Sequence, residues 1–501
     1  MKKPNTIHSY NFVADEIPVN VNIVKDPREF VLIYDIEIPE VGDITKVILE
    51  EIKERLTKTV PIKFEAEGQI KENFFSETDE LLSKDLPHLS KADRDMLAGI
   101  LYHDMMGLGN LEILLKDDNL EEVAIINSKE PLWVYHRKFG WLKTKIVVED
   151  ESIIANYASI IARKVGRRIT TLTPLLDAHL QSGDRVNATL APITTKGNTL
   201  TIRKMRRLPW LVNELIENST VTSEVMALLW MAIQYELSML VSGGTASGKT
   251  TFLNMLMPFL QPNHRVISIE DTRELNLPQF IHWIPNVVRL PNPEGKGEIT
   301  MLDLMINSLR MRPDRIIVGE VRRKPEAEVL FEAMHTGHSV YATIHADTAE
   351  QTVRRLTTPP IDLPESQIDV LPLIVVCFRQ RRLGIRRILQ VSEIVPSIQV
   401  GGKEKMEVNT LYRWRPRTDQ IVKVERSIRL YEQLQTYTGM TESEVNADLA
   451  EKKEVLEWMV RQKIMGLNTV GSVVASYYMD RESLLDGVRK NISPEEVTGN
   501  I

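Results

Sequence analysis

The chain has 501 residues, of which 43% are hydrophobic and 26% charged, and its formal net charge is -7. This composition is ordinary for a globular protein of about two to four domains. The acidic total argues against a surface that binds nucleic acid non-specifically. With a single cysteine, Cys377, the chain can form neither an internal disulfide nor a zinc site built on several cysteines. Cys377 lies in an apolar run, so we expect a small buried hydrophobe in a reducing cytoplasm.

Membrane-spanning segments are not expected either. The apolar runs are far shorter than the ~20 residues needed to cross a bilayer. The first eleven residues are polar and lack the apolar core of a signal peptide. We therefore expect that the chain is not an integral membrane protein and that any membrane role goes through a partner.

The first 205 residues predict two mixed α/β regions, an N-terminal segment over 1–90 and a second domain over 91–205. In the first, a strand-like piece at 30–34 alternates with a charged helical piece at 44–56, and a turn follows at 85–88. In the second, apolar spacing predicts the following elements: helices over 91–105 and 152–165, and strands near 123–126, 133–136, 187–191 and 199–203.

A linker is predicted at 206–215, because the basic stretch over 203–207 ends at Pro209. From 216 to 400, strands and helices alternate, which predicts an α/β domain with a mostly parallel, doubly wound sheet. The segment 401–501 predicts a mainly helical subdomain. There, Thr441 and Glu444 form a capping-box pattern, and Gly466 is the predicted end of that helix.

A Gly-rich loop at 242–251, SGGTASGKTT, lies between the apolar run 237–241 and the helix-like stretch 252–260. Strand, loop and helix are the context that the phosphate-binding motif GxxxxGK[ST] requires. Gly243 and Gly248 let the backbone curl so that successive N–H groups can face one phosphate chain, and the helix N-terminus adds its positive dipole end. Lys249 would reach the β- and γ-phosphates, and the Thr250 hydroxyl would ligate Mg²⁺.

The sequence therefore predicts a nucleoside triphosphate site. Its predicted binding residues are Gly243, Gly244, Thr245, Ala246, Ser247, Gly248, Lys249, Thr250 and Thr251. The alternative is a Gly-rich turn that only joins a strand to a helix.

Two predicted strands of this domain end in acids. The run 265–269 leads into EDTRE at 270–274, and the run 315–319 leads into Glu320. Ligands of open α/β sheets lie beyond the carboxyl ends of the strands, so these acids would face the triphosphate. One carboxylate could orient and deprotonate water, and Glu320 could hold Mg²⁺ directly or through water. The alternative for EDTRE is an acidic solvated loop that caps the next helix.

Two histidines, His338 and His345, bracket a predicted strand at 339–344, with Asp347 just beyond. They could sense the γ-phosphate or link it to a neighbouring subunit. The alternative is that each is a satisfied structural imidazole. Their spacing does not place a metal pair on one helical face, so we reject a zinc site.

These motifs stand in a fixed order: the loop at 243–250, EDTRE at 270–274, VGE at 318–320 and TGHSVYATIHAD at 336–347. The set closely resembles the secretion ATPases of type II secretion and type IV pili, most strongly the archaeal branch with the motors of archaeal pili and the archaellum. The resemblance implies a hexameric motor that uses ATP and Mg²⁺, with a RecA-like core and an N-terminal domain on a flexible linker. It also implies a cytoplasmic place at the inner face of the cell membrane and a polytopic membrane platform protein as partner. We expect no nucleic-acid partner.

The resemblance also implies residue roles. Matched by position, the family's catalytic glutamate is Glu274, its supporting acids are Glu270 and Asp271, its Walker B acid is Glu320, and its histidine box holds His338 and His345. The family presents arginines from the N-terminal domain to the γ-phosphate, and Arg185 and Arg203 are the closest matches. The rigid guanidinium fork suits phosphate oxygens, although a surface charge on a strand is the alternative for each.

One departure from the family pattern and two rival functions remain. Many bacterial members carry a four-cysteine zinc module, whereas the corresponding region here predicts a basic hairpin at 379–387, interpreted as a solvated or subunit-facing surface.

That hairpin and the basic stretch 203–207 would serve a DNA-translocating or helicase-type RecA-fold ATPase. The second rival is a nucleotide-gated scaffold that hardly turns ATP over.

Overall fold

The computed structural model describes residues 4–59, 67–180, 182–205, 209–292, 294–398 and 404–499. They divide into two compact units, Met1–Arg206 and Arg207–Ile501. Of the predicted linker at 206–215, residues 206–208 lie outside the described part, and so do Arg206 and Arg207 of the basic stretch. The linker prediction is too long at its other end, because a helix begins at Val212 with its side chain buried in the second unit.

The first unit is a mixed α/β fold built on one sheet. Its strands are β1 (Asn5–Ala14), β2 (Ile17–Lys25), β3 (Ile33–Glu37), β4 (Leu120–Ile125), β5 (Trp133–His136), β6 (Gly140–Thr144), β7 (Leu175–His179), β8 (Arg185–Thr189) and β9 (Thr199–Arg203). Its helices are α1 (Asp43–Thr59), α2 (Glu67–Asp85), α3 (Lys91–Met106), α4 (Asn110–Lys116) and α5 (Glu151–Lys164).

The sheet of this unit runs in the order β1-β2-β3-β6-β5-β4-β9-β8-β7. The parallel pairing of β3 with β6 joins the N-terminal hairpin to the rest, with Ile33 opposite Lys143. The boundary predicted at residue 90 therefore does not separate two compact units. The helices α1, α2 and α3 enclose a small apolar core of their own around Phe74 and Leu97.

The second unit contains a larger sheet flanked by helices. Its strands are β10 (Met239–Gly243), β11 (Arg265–Glu270), β12 (His282–Val287), β13 (Arg315–Val318), β14 (Ser339–Ile344), β15 (Leu373–Gln380), β16 (Ile385–Ile398), β17 (Glu404–Arg415) and β18 (Gln420–Lys423). Its helices are α6 (Val212–Glu217), α7 (Ser223–Gln234), α8 (Lys249–Leu256), α9 (Met301–Ser308), α10 (Lys324–His335), α11 (Ala349–Thr357), α12 (Glu365–Ile368), α13 (Arg429–Thr438), α14 (Glu442–Arg461), α15 (Leu467–Met479), α16 (Arg481–Arg489) and α17 (Pro494–Thr498). Short 3₁₀ turns cover Met257–Phe259 and Leu309–Met311.

The strand order is β12-β11-β13-β14-β10-β15-β16-β17-β18. The pairs from β12 to β15 are parallel, and those from β15 to β18 are antiparallel. Alternate residues of the parallel strands enter opposite cores: Val241 packs with α7 and α8, whereas its neighbour Leu240 packs with α9 and α10. Helices therefore cover both faces, and the predicted doubly wound sheet is confirmed.

The C-terminal region mixes strands with helices. Strands β17 and β18 lie in the segment predicted to be mainly helical, and helices α13 to α17 follow them. The capping box is present, since Thr441 Oγ1 accepts from Glu444 N and Glu444 Oε2 accepts from Thr441 N. The predicted end of that helix is wrong: α14 stops at Arg461, and Gly466 precedes α15 instead. Among the described residues, none of the helices combines the length and apolar character needed to span a bilayer.

Candidate functional site

The Gly-rich loop connects β10 to α8 at the carboxyl end of the parallel strands. Gly243 has φ +152°, and a Cβ there would come within 2.4 Å of the Cys377 carbonyl oxygen on β15. Gly248, the residue before α8, has φ +96°. The backbone conformations at Gly243 and Gly248 both favour glycine. The loop follows the carboxyl end of β10, an inner strand of the sheet. Open α/β sheets bind their ligands beyond the carboxyl ends of the strands.

Lys249 opens α8 and is the cation of this loop. Its Nζ lies 3.3 Å from the Gly244 carbonyl oxygen. Burial holds the pKa of Lys249 below its usual value. The groups whose charge opposes that lowering come from four separate parts of the chain: Glu320, Cys377, Asp347 and Glu274. Three carboxylates that are distant in sequence therefore lie within electrostatic range of this lysine.

Glu270, the last residue of β11, shapes the loop that contains Glu274. Its side chain is 2% exposed, and its Oε1 accepts from Glu274 N at 2.9 Å and Leu275 N at 3.1 Å. The Asn254 amide of α8 lies 3.4 Å from the Glu274 carbonyl oxygen, and Asn254 Oδ1 accepts from Asn276 N. The backbone around Glu274 is thus held by buried groups on two sides, beside α8, the helix that begins at the phosphate loop.

Glu320 follows β13 and is held by backbone contacts of the next strand. Thr343 Oγ1 donates to the Gly319 carbonyl oxygen, and Val321 N donates to the Thr343 carbonyl oxygen. The guanidinium of Arg322 donates twice to Glu320 Oε2, at 2.8 and 3.0 Å. Glu320 is therefore a fixed carboxylate at the carboxyl edge, two strands away from the phosphate loop.

The oxygen donors of the site suit Mg²⁺. In the described part of the chain, His, Cys, Asp and Glu form no group of three or more that could hold a metal by itself. The Thr250 hydroxyl and the Glu320 carboxylate are oxygen donors. Mg²⁺ usually takes one or two protein oxygens and completes its shell with substrate phosphates and water. Thr250 at the start of α8 and Glu320 are the residues that would hold it.

The two histidines lie at opposite ends of β14. His345 Nε2 is 2.9 Å from Thr245 Oγ1, so the structure brings this residue to the phosphate loop. His338 precedes β14, and its Nδ1 lies 3.2 Å from the Ala333 carbonyl oxygen near the end of α10. The strand between them is about 20 Å long, so His338 is not brought to the phosphate loop of its own subunit.

The two candidate arginines belong to the first unit. Arg185 on β8 and Arg203 on β9 are direct cross-strand partners, and Glu122 on β4 is the partner of Arg203 on its other side. The sheet therefore sets two guanidinium groups side by side. The structure thus places Arg185 and Arg203 next to each other in the sheet.

The predicted basic hairpin is formed by β15 and β16, with Arg379 opposite Arg386. Its interpretation as a purely solvated or subunit-facing surface is wrong for Arg387, which is 8% exposed and donates to both carboxylate oxygens of Asp419. Arg386 lies beside the phosphate loop, since a Cβ at Gly248 would be 3.6 Å from its Cδ. Cys377 on β15 is buried, as predicted.

Two neighbours of the site, Asp347 and Arg322, were given no role from the sequence. Asp347 Oδ1 would be 2.7 Å from a Cβ at Gly244, which puts this acid against the loop. Arg322 contacts both Glu320 and Asp271. The available signal was position, because Asp347 follows the end of β14 and Arg322 follows the end of β13, at the same edge of the sheet.

The buried carboxylate of Glu270 makes stability depend on pH. Burial raises its pKa from 4.5 to about 7, against the two backbone N–H groups that lower it. Below pH 4.5 both the folded and the unfolded chain keep the proton. Between pH 4.5 and about 7 the unfolded chain has lost it while the folded chain keeps it, so stability falls as pH rises through this window. A shift of this size corresponds to at most about 3 kcal/mol.

We therefore expect the Glu270→Gln variant, which keeps the oxygen that accepts the two N–H groups, to lose this dependence. Relative to wild type, the variant should gain stability between pH 5 and pH 8. Thermal unfolding midpoints of both proteins at the two pH values measure the difference. A gap between the two proteins that stays the same at pH 5 and pH 8 would contradict the assignment.

Together these elements define a nucleotide site of the phosphate-loop class. A sequence family described as "Type II/IV secretion system protein" matches residues 143–411. An uncharacterized protein of the archaeon Methanocaldococcus jannaschii is 34% identical over 436 residues, which cover 86% of this chain and 77% of the relative. This chain belongs to the type II/IV secretion system protein family.

Two further proteins are less similar to this chain. The type IV secretion system protein PtlH of Bordetella pertussis is 28% identical over 60% of this chain and 96% of its own length. The solved structure of the Legionella pneumophila ATPase DotB has a TM-score of 0.41 and 20% identity, covering 78% of this chain and 94% of that one. The resemblance stated from the motifs is confirmed. The structure also agrees with the predicted α/β class, because a doubly wound sheet carries the Gly-rich loop, a mixed α/β region precedes it and helices α13 to α17 follow it.

Proposed function

We propose that this chain is a hexameric motor that hydrolyses ATP with Mg²⁺ and powers protein secretion or assembly of a type IV pilus-like or archaellum filament. It would work in the cytoplasm at the inner face of the cell membrane and push on a polytopic membrane platform protein. Family membership supports the secretion role. The observation that supports hydrolysis is that Glu274, Glu320 and Asp347 follow β11, β13 and β14 at the carboxyl edge of the sheet, where the loop with Lys249 also lies.

In this proposal each residue has a distinct task. Lys249 binds the β- and γ-phosphate oxygens, and the loop 243–251 surrounds the phosphate chain with backbone N–H groups. Glu274 accepts a proton from the attacking water and orients it, while Glu270 and Asp271 hold the loop that positions it. Thr250 and Glu320 hold Mg²⁺, which neutralises charge on the phosphates when bound.

Three further residues have proposed roles at the γ-phosphate. His345, through its contact with Thr245, would report the state of the phosphate loop to β14. Arg185 and Arg203 would offer a pair of guanidinium groups to the γ-phosphate, whose spreading negative charge such a fork stabilises. His338 would act only across a subunit interface. The segment between the two units, before α6, would serve as the joint that lets the first unit move.

The proposed motor cycle depends on one charged group, the γ-phosphate of ATP. Binding energy at the γ-phosphate would close the interface around the nucleotide, and its loss on hydrolysis would release that interface, a two-state element biased by phosphate contacts. The first unit, moved by this cycle, would transmit force to the membrane partner.

We expect the purified chain to hydrolyse ATP in a Mg²⁺-dependent manner and to reach the mass of a hexamer with a non-hydrolysable ATP analogue. Phosphate release and light scattering, each with and without nucleotide, measure these two properties. Tight analogue binding with no measurable single-turnover hydrolysis would support a nucleotide-gated scaffold instead. Hydrolysis strongly stimulated by DNA, with DNA binding that falls steeply as salt rises, would support a DNA-translocating motor.

A further inference from the structure

Arg322 joins two acids that follow different strands. Its Nη1 lies 2.7 Å from Asp271 Oδ2, and its Nη2 lies 2.8 Å from Glu320 Oε2. Its Nε adds a second contact to Glu320 Oε2 at 3.0 Å. The planar guanidinium is suited to such a bridge because it presents several donors in a fixed fork. No role for this bridge follows from nucleotide binding by the phosphate loop.

The bridge lies where the site is assembled. Asp271 follows β11, Glu320 follows β13, and these two strands are parallel neighbours, so both acids are at the carboxyl edge of the sheet. The backbone of Arg322 is fixed in turn, because its N–H donates to Glu326 Oε2 at 3.0 Å on the first turn of α10. Its side chain is 54% exposed and so has room to move.

Arg322 also contacts one end of the loop 270–274, which contains Glu274 and is called the Glu274 loop. Glu270 holds the far end of this loop through the N–H groups of Glu274 and Leu275. Arg322 holds the near end through Asp271. The position of Arg322 therefore connects the acid that would hold the metal with the loop that would carry the catalytic base.

We propose that Arg322 is a positioning residue that competes with Mg²⁺ for Glu320 while it holds Asp271. This inference deepens the proposed function and rests on it. A guanidinium and Mg²⁺ are both cations that seek the same carboxylate oxygens, so they compete for Glu320. When Mg²⁺ takes Glu320, the guanidinium keeps its contact with Asp271 and so still supports the Glu274 loop.

The proposal predicts opposite changes in two quantities. In the Arg322→Ala variant a competing cation is gone, so the Mg²⁺ concentration at half-saturation should fall about 10-fold, the equivalent of one charge-assisted hydrogen bond. Turnover at saturating Mg²⁺ should also fall about 10-fold, because Asp271 and the Glu274 loop lose their support. Mere loss of structure would instead weaken metal binding and turnover together.

The Mg²⁺ dependence can be measured without hydrolysis, by fluorescence of a non-hydrolysable ATP analogue bound to the full chain as Mg²⁺ is titrated. Arg322→Lys should keep a half-saturation near the wild-type value but not restore turnover, since one ammonium cannot hold both carboxylates in a fork. Arg323→Ala is the matched control, an exposed neighbour on the same turn, and should leave both quantities unchanged.

The outcomes separate the two proposals. A Mg²⁺ half-saturation for Arg322→Ala that equals or exceeds the wild-type value overturns the role of Arg322, even in a chain that hydrolyses ATP. A wild-type chain that binds the analogue without hydrolysing ATP overturns the motor, and the Mg²⁺ titration still decides the role of Arg322. A wild-type chain that binds no nucleotide overturns both.

Discussion

The Lys249→Ala variant should remain folded and lose at least about 100-fold in ATP turnover, the typical effect of removing a preorganised group that stabilises transition-state charge. Lys249 is the cation at the start of α8, and the negative charges of Glu320, Asp347 and Glu274 oppose the lowering of its pKa by burial. Without it, the phosphate oxygens lose the ammonium that offsets their negative charge in the transition state. Steady-state phosphate release measures the loss, and circular dichroism checks the fold.

Lys490→Ala is the matched control. This exposed lysine directly after α16 is paired with Asp486 at 2.5 Å, and surface pairs of this kind contribute little to stability. The control should keep wild-type turnover. Hydrolysis of ATP by Lys249→Ala at the wild-type rate would contradict the proposed mechanism.

The Glu274→Gln variant should bind nucleotide and Mg²⁺ as wild type does but turn over about 100- to 10,000-fold more slowly, the range associated with a general base. The amide keeps the shape of the side chain, and the Glu270 contacts to the backbone of the loop are untouched. The substitution removes one negative charge and with it the capacity to accept a proton. Single-turnover hydrolysis and analogue binding measure the two properties separately.

Glu320→Gln serves as the isosteric comparison, because it removes one negative charge at the end of a neighbouring strand. It should raise the Mg²⁺ concentration needed for binding, whereas Glu274→Gln should not. If the two variants changed Mg²⁺ dependence equally, the division of roles between these acids would be wrong.

Local pattern was a good guide wherever neighbours in sequence are neighbours in space. The phosphate loop joins one strand directly to one helix, and the capping box at Thr441 and Glu444 spans one helical turn. The alternating apolar residues of β2, at Ile17, Val19, Val21 and Ile23, are buried on one face. That period-2 pattern predicts a strand, and we missed it although the sequence contained it.

His338 shows how a sequence motif can mislead. It lies seven residues from His345 in the sequence, but the residues between them form a strand, and an extended chain carries its two ends to opposite edges of the sheet. The boundary predicted at residue 90 failed for a related reason. Strand β3 pairs with β6 across about a hundred residues of sequence, and no local pattern specifies a partner at that distance.

From sequence alone came the chemistry of single segments: the phosphate loop, the acids at the ends of β11 and β13, and the alternation of strands and helices. These depend on backbone preferences and side-chain periods that act over a few residues. Only the tertiary structure decided which side chains meet, such as Arg322 with Asp271 or Asp347 with the phosphate loop. Such contacts depend on the order and register of strands, which long-range packing sets when the core closes.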